Sequence, residues 1–216
     1  MESGENKMDS FLDTGVVIKY FEHDYMKEEL GKRCYEYVKN IQNKILISFI
    51  VQEEAHRVIL KRKEIYDYIL NKIQDPSLEI EYKETVYMNK QEFIFAKDLY
   101  LKLKNENIKE LKKNFDSEID FLKASLDLFL KNKVNETAIG KSELDNLILS
   151  IVHNFIEDFA DCRVLTSAIQ MQQHRDIFFF VTADKHFDSG SYDFIENELK
   201  LKNYKKPQLK NLLYEN

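Results

Sequence analysis

Glycine and proline are scarce: five and two in 216 residues. An all-β sandwich or barrel turns every ten or so residues and draws on both for its turns, so that class is excluded. Gly4, Gly15, Gly31, Gly140 and Gly190 each stand alone. A dinucleotide fingerprint or a P-loop needs clustered glycines, and neither is present. The two cysteines, Cys34 and Cys162, are far apart and neither belongs to a CxxC pair. That excludes a zinc knuckle or a redox dithiol and reads as two buried thiols in a reducing compartment. The longest apolar runs, residues 45–51 and 177–181, are too short to span a bilayer. The opening MESGENKMDS is polar and acidic, unlike a signal peptide. The expectation is a cytoplasmic protein that does not enter a membrane.

What is present is charge and apolar periodicity. Charged residues make up 32% of the chain and hydrophobic residues 44%, a globular balance rather than a disordered one. Thirty-two basic side chains face thirty-eight acidic ones, for a net charge of −6, so the chain is not a generic polyanion binder. Residues 1–60 carry 8 basic and 11 acidic groups, residues 61–140 carry 15 of each, and residues 141–216 carry 9 and 12. If the two ends of the chain meet in space, they concentrate carboxylates.

Short, continuously apolar segments alternate with helical patterns. Residues 9–14 read as a buried strand ending at Asp13, 44–48 as a second and 176–181 as a third. Helical spacing covers 16–21, 26–41 and a long stretch from Ile50 to the Asp75-Pro76 break. Residues 78–82 alternate, as a short strand or linker. Two Lys/Glu-rich amphipathic helices follow, with a break at 105–107. Residues 135–140 read as a loop, and Ser142 as the N-cap of a helix carrying Asp145 in its first turn. That helical pattern runs to about Gln173 with a break near Asp158. A last helix covers 192–200, and 208–214 reads as an edge strand. Strands of this kind alternating with helices predict an α/β fold with three α/β/α layers around a short, mostly parallel sheet. In such sheets the working residues gather beyond the carboxyl ends of the strands.

Acids stand at those ends. Asp13 closes the first strand and Asp184 follows the third. Glu53 and Glu54 lie one turn into the helix after the second, and Asp161 lies in the helix leading into the third. Carboxylates crowded into one cleft repel each other unless a hard cation neutralises them, and Mg²⁺ or Mn²⁺ suits an all-oxygen set. Such a site suits phosphodiester hydrolysis. Singly, each acid is equally at home as a cap or a solvated side chain.

The segment FLDTGVVIKYF (11–21) resembles the opening motif of PIN-domain nucleases. ISFIVQEE (47–54) is similar to their second motif, whose spacing from Ser48 selects Glu54 over Glu53. DCRVLTSA (161–168) resembles the third motif, and FFFVTADKHF (178–187) the fourth, a strand followed by Thr-x-Asp-x-x-Phe. The order matches, with separations of 41, 107 and 23 residues. The middle interval is much longer than in compact members. The resemblance thus implies a PIN-like domain of residues 1–74 and 141–216, with 75–140 as a helical insertion or arm. It further implies a metal-dependent endoribonuclease of single-stranded RNA. Asp13, Glu54, Asp161 and Asp184 are then the catalytic and Mg²⁺- or Mn²⁺-binding set, with Thr14, Thr182 and Asp188 in support. Homodimerisation and an antitoxin-like or other protein partner also follow from the resemblance. A catalytically silent RNA-binding or scaffold member, or a toxin-type ribonuclease, remain the alternatives.

Asp13-Thr-Gly15 also matches the aspartic-protease triplet, but those enzymes are glycine-rich β proteins that need two such aspartates. The five histidines show no HxxxH or HExxH spacing, which argues against a zinc site. Arg57, Lys185 and His186 lie near the acids in sequence and are candidates to contact RNA, against a plain surface role. Arg163, two residues past Asp161, is expected to point elsewhere on its helix.

Overall fold

The computed structural model describes residues 8–26, 28–75, 90–176 and 178–214. They fall into two compact units. The first comprises the described residues up to Ala55 and those from Leu126 onward, and the second runs from His56 to Ser125.

The first unit is built on five strands: β1 (Ser10–Leu12), β2 (Ile45–Ser48), β3 (Val134–Ala138), β4 (Phe179–Thr182) and β5 (Gln208–Asn211). They lie in the order β3-β2-β1-β4-β5, and every pairing is parallel. Helices α1 (Thr14–Met26) and α2 (Glu29–Asn40) join β1 to β2. The short α6 (Asn146–His153) and α7 (Phe159–Gln172) lead into β4, and α8 (Ser189–Leu201) joins β4 to β5. The chain therefore winds outward one way from β1, returns to its other side at β4, and winds the opposite way. Right-handed crossovers place the helices of the two halves on opposite faces, giving the three-layer α/β/α architecture. The central strands are short and apolar because both faces are covered: β1 and β2 are buried at every position.

Aromatic side chains fill the centre of this unit. Phe11 pairs in register with Phe180, and their rings lie 6.0 Å apart. Phe178 stacks near Phe11, and Phe187 meets Phe180 edge-on at 5.0 Å. Phe11, Phe178, Phe180 and Phe187 are all essentially inaccessible to solvent. Each buried ring is worth roughly 1.5–3 kcal/mol. Phe187 also anchors the turn that carries Asp184. Cys34 and Cys162 are free and buried.

Two expectations are overturned. Residues 135–140 do not form a loop, since Val134–Ala138 is the edge strand β3, parallel to β2. Its polar Asn-Glu-Thr sequence hid it. The register shows why it tolerates them: Ile45 pairs with Val134 and Leu46 with Glu136, so Asn135 is the extra residue of a bulge. The Asn135 side-chain oxygen accepts from the Ile45 backbone N–H at 2.7 Å, replacing the missing ladder bond. Nor does Ser142 cap a helix. It sits in a single 3-10 turn, Lys141–Glu143, and the cap of α6 is Asp145. Its carboxylate accepts from the N–H groups of Leu147 and Ile148. The break near Asp158 is a second cap, because Asp158 accepts from Ala160 and Asp161 at the start of α7.

Helices α3 (Phe49–Gln74) and α5 (Ile108–Asn132) begin or end in the first unit, and α4 (Lys90–Leu103) lies wholly in the second. The break between α4 and α5 falls at the expected place. Within the second unit Tyr66 stacks on Phe115 at 4.0 Å and donates to Glu118, which also pairs with Arg62. The basic run Lys102, Lys104, Lys109, Lys112 and Lys113 is an exposed face. Residues 78–82 lie outside the described residues.

Candidate metal centre

Asp13 follows the last residue of β1, and its backbone N–H bonds to Val181 O of the neighbouring β4. That places it level with Thr182, at the sheet's carboxyl edge. The β1/β4 pair is where the winding reverses, so nothing crosses over the strand ends and a crevice opens there. Thr182, wholly buried, donates its hydroxyl to Asp13 Oδ2 at 2.8 Å. The same hydroxyl accepts from the Asp184 N–H at 3.1 Å, linking the two acids. Ser48 ends β2 and caps α3 by accepting from the Val51 N–H. Glu54, one turn further on, is buried, and its Oε2 accepts from the Thr14 hydroxyl at 2.9 Å. Glu53 is exposed and pairs with Lys141. A helix leading into a parallel strand runs against it, so α7 starts at the carboxyl edge and brings Asp161 there in its first turn.

Four elements thus deliver four acids to one crevice, and the charges respond. Burial, reinforced by Asp161, Asp184 and Glu54 and opposed by the Thr182 hydrogen bond, pushes the Asp13 carboxyl up to about 7. Burial likewise raises Asp161 to about 6, against the hydrogen bond from His186. Asp184 and Asp161 are the more accessible pair, and Asp13 and Glu54 the deep pair. His186 Nδ1 lies 2.9 Å from Asp161 Oδ2 and 3.2 Å from Asp184 Oδ1. The hydrogen bond to Asp161 raises the His186 pKa.

The remaining candidates are a helix cap and two exposed side chains. Asp188 is the cap of α8, bonding Ser191 N–H and Oγ. These bonds hold its carboxyl below the usual range. Lys185 and Arg57 are exposed. Two contributors escaped the sequence reading. Arg163 does not point away: its Nη2 lies 3.7 Å from Glu54 Oε1, its guanidinium covers the Phe159 ring, and its buried Nε has no hydrogen-bond partner among the described residues. Helical phase alone separates Arg163 from Asp161, but Glu54 arrives from another element on the side where Arg163 points. Asn211, the last residue of β5, donates to the carbonyls of Asp184 and Phe187 and pins the turn between them. Its place in an edge strand carries no local signal of that role.

No family model matches the chain, and neither a curated protein nor a solved structure matches it.

Proposed function

We propose that the chain is a divalent-metal-dependent endoribonuclease of the PIN-like kind, hydrolysing single-stranded RNA at the crevice of Asp13, Glu54, Asp161 and Asp184. One observation carries this reading: the buried Asp13 carboxyl, beyond the end of a central strand, lies within electrostatic reach of three acids from three other elements. Such a set fits a hard cation, because its donors are carboxylate oxygens and the Asp13 proton is held by burial and by the like charges around it, both of which a cation opposes. Asp13, Asp161 and Asp184 would hold the ion, with Glu54 beside them. A bound Mg²⁺ or Mn²⁺ supplies the charge that lets these acids ionise together and stabilises charge building on the phosphate. Thr182 and Thr14 orient the deep carboxylates, and the accessible Asp161–Asp184 side is where a phosphodiester approaches. RNA as substrate and control by self-association or an antitoxin-like partner rest on the motif resemblance, and the cytoplasm as location rests on the two lone cysteines. Among the described residues no helix is long and apolar enough to cross a membrane.

The test is cleavage of labelled single-stranded RNA by the full chain with Mg²⁺, Mn²⁺ or EDTA. Metal-dependent cleavage that falls by about 10²-fold or more in Asp13→Asn and Asp184→Asn is expected. Unchanged activity in both variants would sink the assignment.

A second reading, a silent RNA-binding module of the same architecture, is favoured by one contact. Glu54 already faces a hydroxyl on one oxygen and the Arg163 cation near the other. Calorimetric titration separates the two, because a folded protein that binds RNA but no divalent ion supports the silent form.

A further inference from the structure

The nitrogen ligand nearest the acids belongs to His186, which the motif resemblance does not employ. One oxygen of Asp161, one of Asp184 and a ring nitrogen of His186 lie within 4.8 Å of one another. Donors of a single ion, at about 2.1 Å from it, stand roughly 3–4 Å apart, so the three are close to ligand spacing already. Their placement does not depend on long flexible side chains. The His186 backbone N–H bonds Asp184 Oδ1 at 2.8 Å, which closes the turn and fixes both residues together. Asn211 holds that turn from β5, and Asp158 fixes the helix start that carries Asp161. Beneath the group, Asp13 is 4% exposed; Thr182 bonds its Oδ2, and no hydrogen bond reaches its Oδ1 among the described residues. A deep carboxyl with this one side-chain hydrogen bond, within electrostatic reach of Asp161 and Asp184, calls for positive charge rather than for a further hydrogen bond. The ring of His186 is about half exposed, so an ion can enter from solvent.

We propose that His186 is a direct ligand of the divalent ion, completing with Asp161 and Asp184 a mixed nitrogen–oxygen site that takes Mn²⁺ in preference to Mg²⁺. This rests on the divalent-metal reading above. The preference follows from donor chemistry. Imidazole suits the first-row transition ions, whereas Mg²⁺ keeps to oxygen donors and its own waters. The Asp161–His186 contact is then the resting form of the site, and the ion replaces the imidazole proton between the same two groups.

The experiment is Mn²⁺ binding to the full chain followed by electron paramagnetic resonance, with Mg²⁺ measured by competition, for the native protein, His186→Ala and His186→Gln. The side chain is exposed and outside the core, so both variants should stay folded at the assay temperature, which thermal melts check. The native complex should show imidazole nitrogen coupling to Mn²⁺ and bind Mn²⁺ at least about 10-fold tighter than Mg²⁺. Both variants should lose the coupling and about 10–100-fold in Mn²⁺ affinity, with Mg²⁺ affinity moving less than about threefold. Mn²⁺ bound without nitrogen coupling, or unchanged affinity in the variants, overturns the role of His186 and leaves the acidic metal site standing. No Mn²⁺ binding at all overturns both. Nitrogen-coupled Mn²⁺ without RNA cleavage upholds His186 and overturns the nuclease reading.

Discussion

Asp13 is the residue at which function and stability oppose each other. Its carboxyl is buried and surrounded by like charge, so ionising it costs free energy in the absence of a cation. Asp13→Asn keeps an acceptor for Thr182 and removes the charge. We expect this variant to lose RNA cleavage yet gain roughly 1–3 kcal/mol of stability at pH 8 in EDTA, read as a higher melting temperature. No gain would mean that the crevice is more hydrated than its burial indicates. Arg163 gives the opposite sign. It is a cation beside the buried Glu54, and Arg163→Met removes that charge from the carboxylate. A loss of about 1–3 kcal/mol is expected, part of it recovered when Glu54→Gln is added. A double-mutant cycle by urea unfolding measures the coupling, and additive losses would deny the pairing.

At the scale of elements, two polar side chains do structural work that their neighbourhoods alone disguise. Asn135 supplies the acceptor that the β3 bulge takes from the β2 ladder. Asn135→Ala leaves the Ile45 N–H without that acceptor, and a loss of about 1–3 kcal/mol in denaturant unfolding is expected. Asp158 caps α7, the helix whose first turn carries Asp161. Asp158→Ala should destabilise by about 0.5–2 kcal/mol. The strands β1, β2 and β4 are legible in sequence because continuous apolar runs between helical patterns have few other solutions. β3 is not: an edge strand buries only half of itself, so its composition is that of a loop.

Over the whole molecule the acids set the response to pH. Asp13 and Asp161 have pKa values raised by folding, to about 7 and about 6. Their contribution is full below the ordinary carboxylate range and is lost as pH rises through those values. His186, also raised, acts in the same direction at higher pH. The metal-free protein should therefore be less stable at pH 8 than at pH 5. Below about pH 4 the sign reverses, because Glu196, held at about 2 by Lys200 and Lys206, and the capping Asp188 become protonated. Adding Mn²⁺ at pH 8 should restore stability, by about 2.7 kcal/mol at a hundred times its dissociation constant. Thermal melts in EDTA and in Mn²⁺ across pH 5–8 check both signs. A flat profile in EDTA would show that the four acids do not share one crevice.

By itself the sequence determined the class of fold. Scarce glycine and proline exclude turn-rich architectures, and apolar periodicity is a local property that any stretch of chain displays. It also marked Asp13 and Asp184, because an acid next to a strand end is visible within a few residues, while the motif resemblance singled out Glu54 and Asp161. Only the tertiary structure decided what those acids meet. The Thr182 hydroxyl on Asp13, the Arg163 guanidinium beside Glu54, the Asn211 amide behind Asp184 and the imidazole between Asp161 and Asp184 join strands and helices remote in sequence. Their partners follow from strand order and register, and those follow from how all the elements pack together.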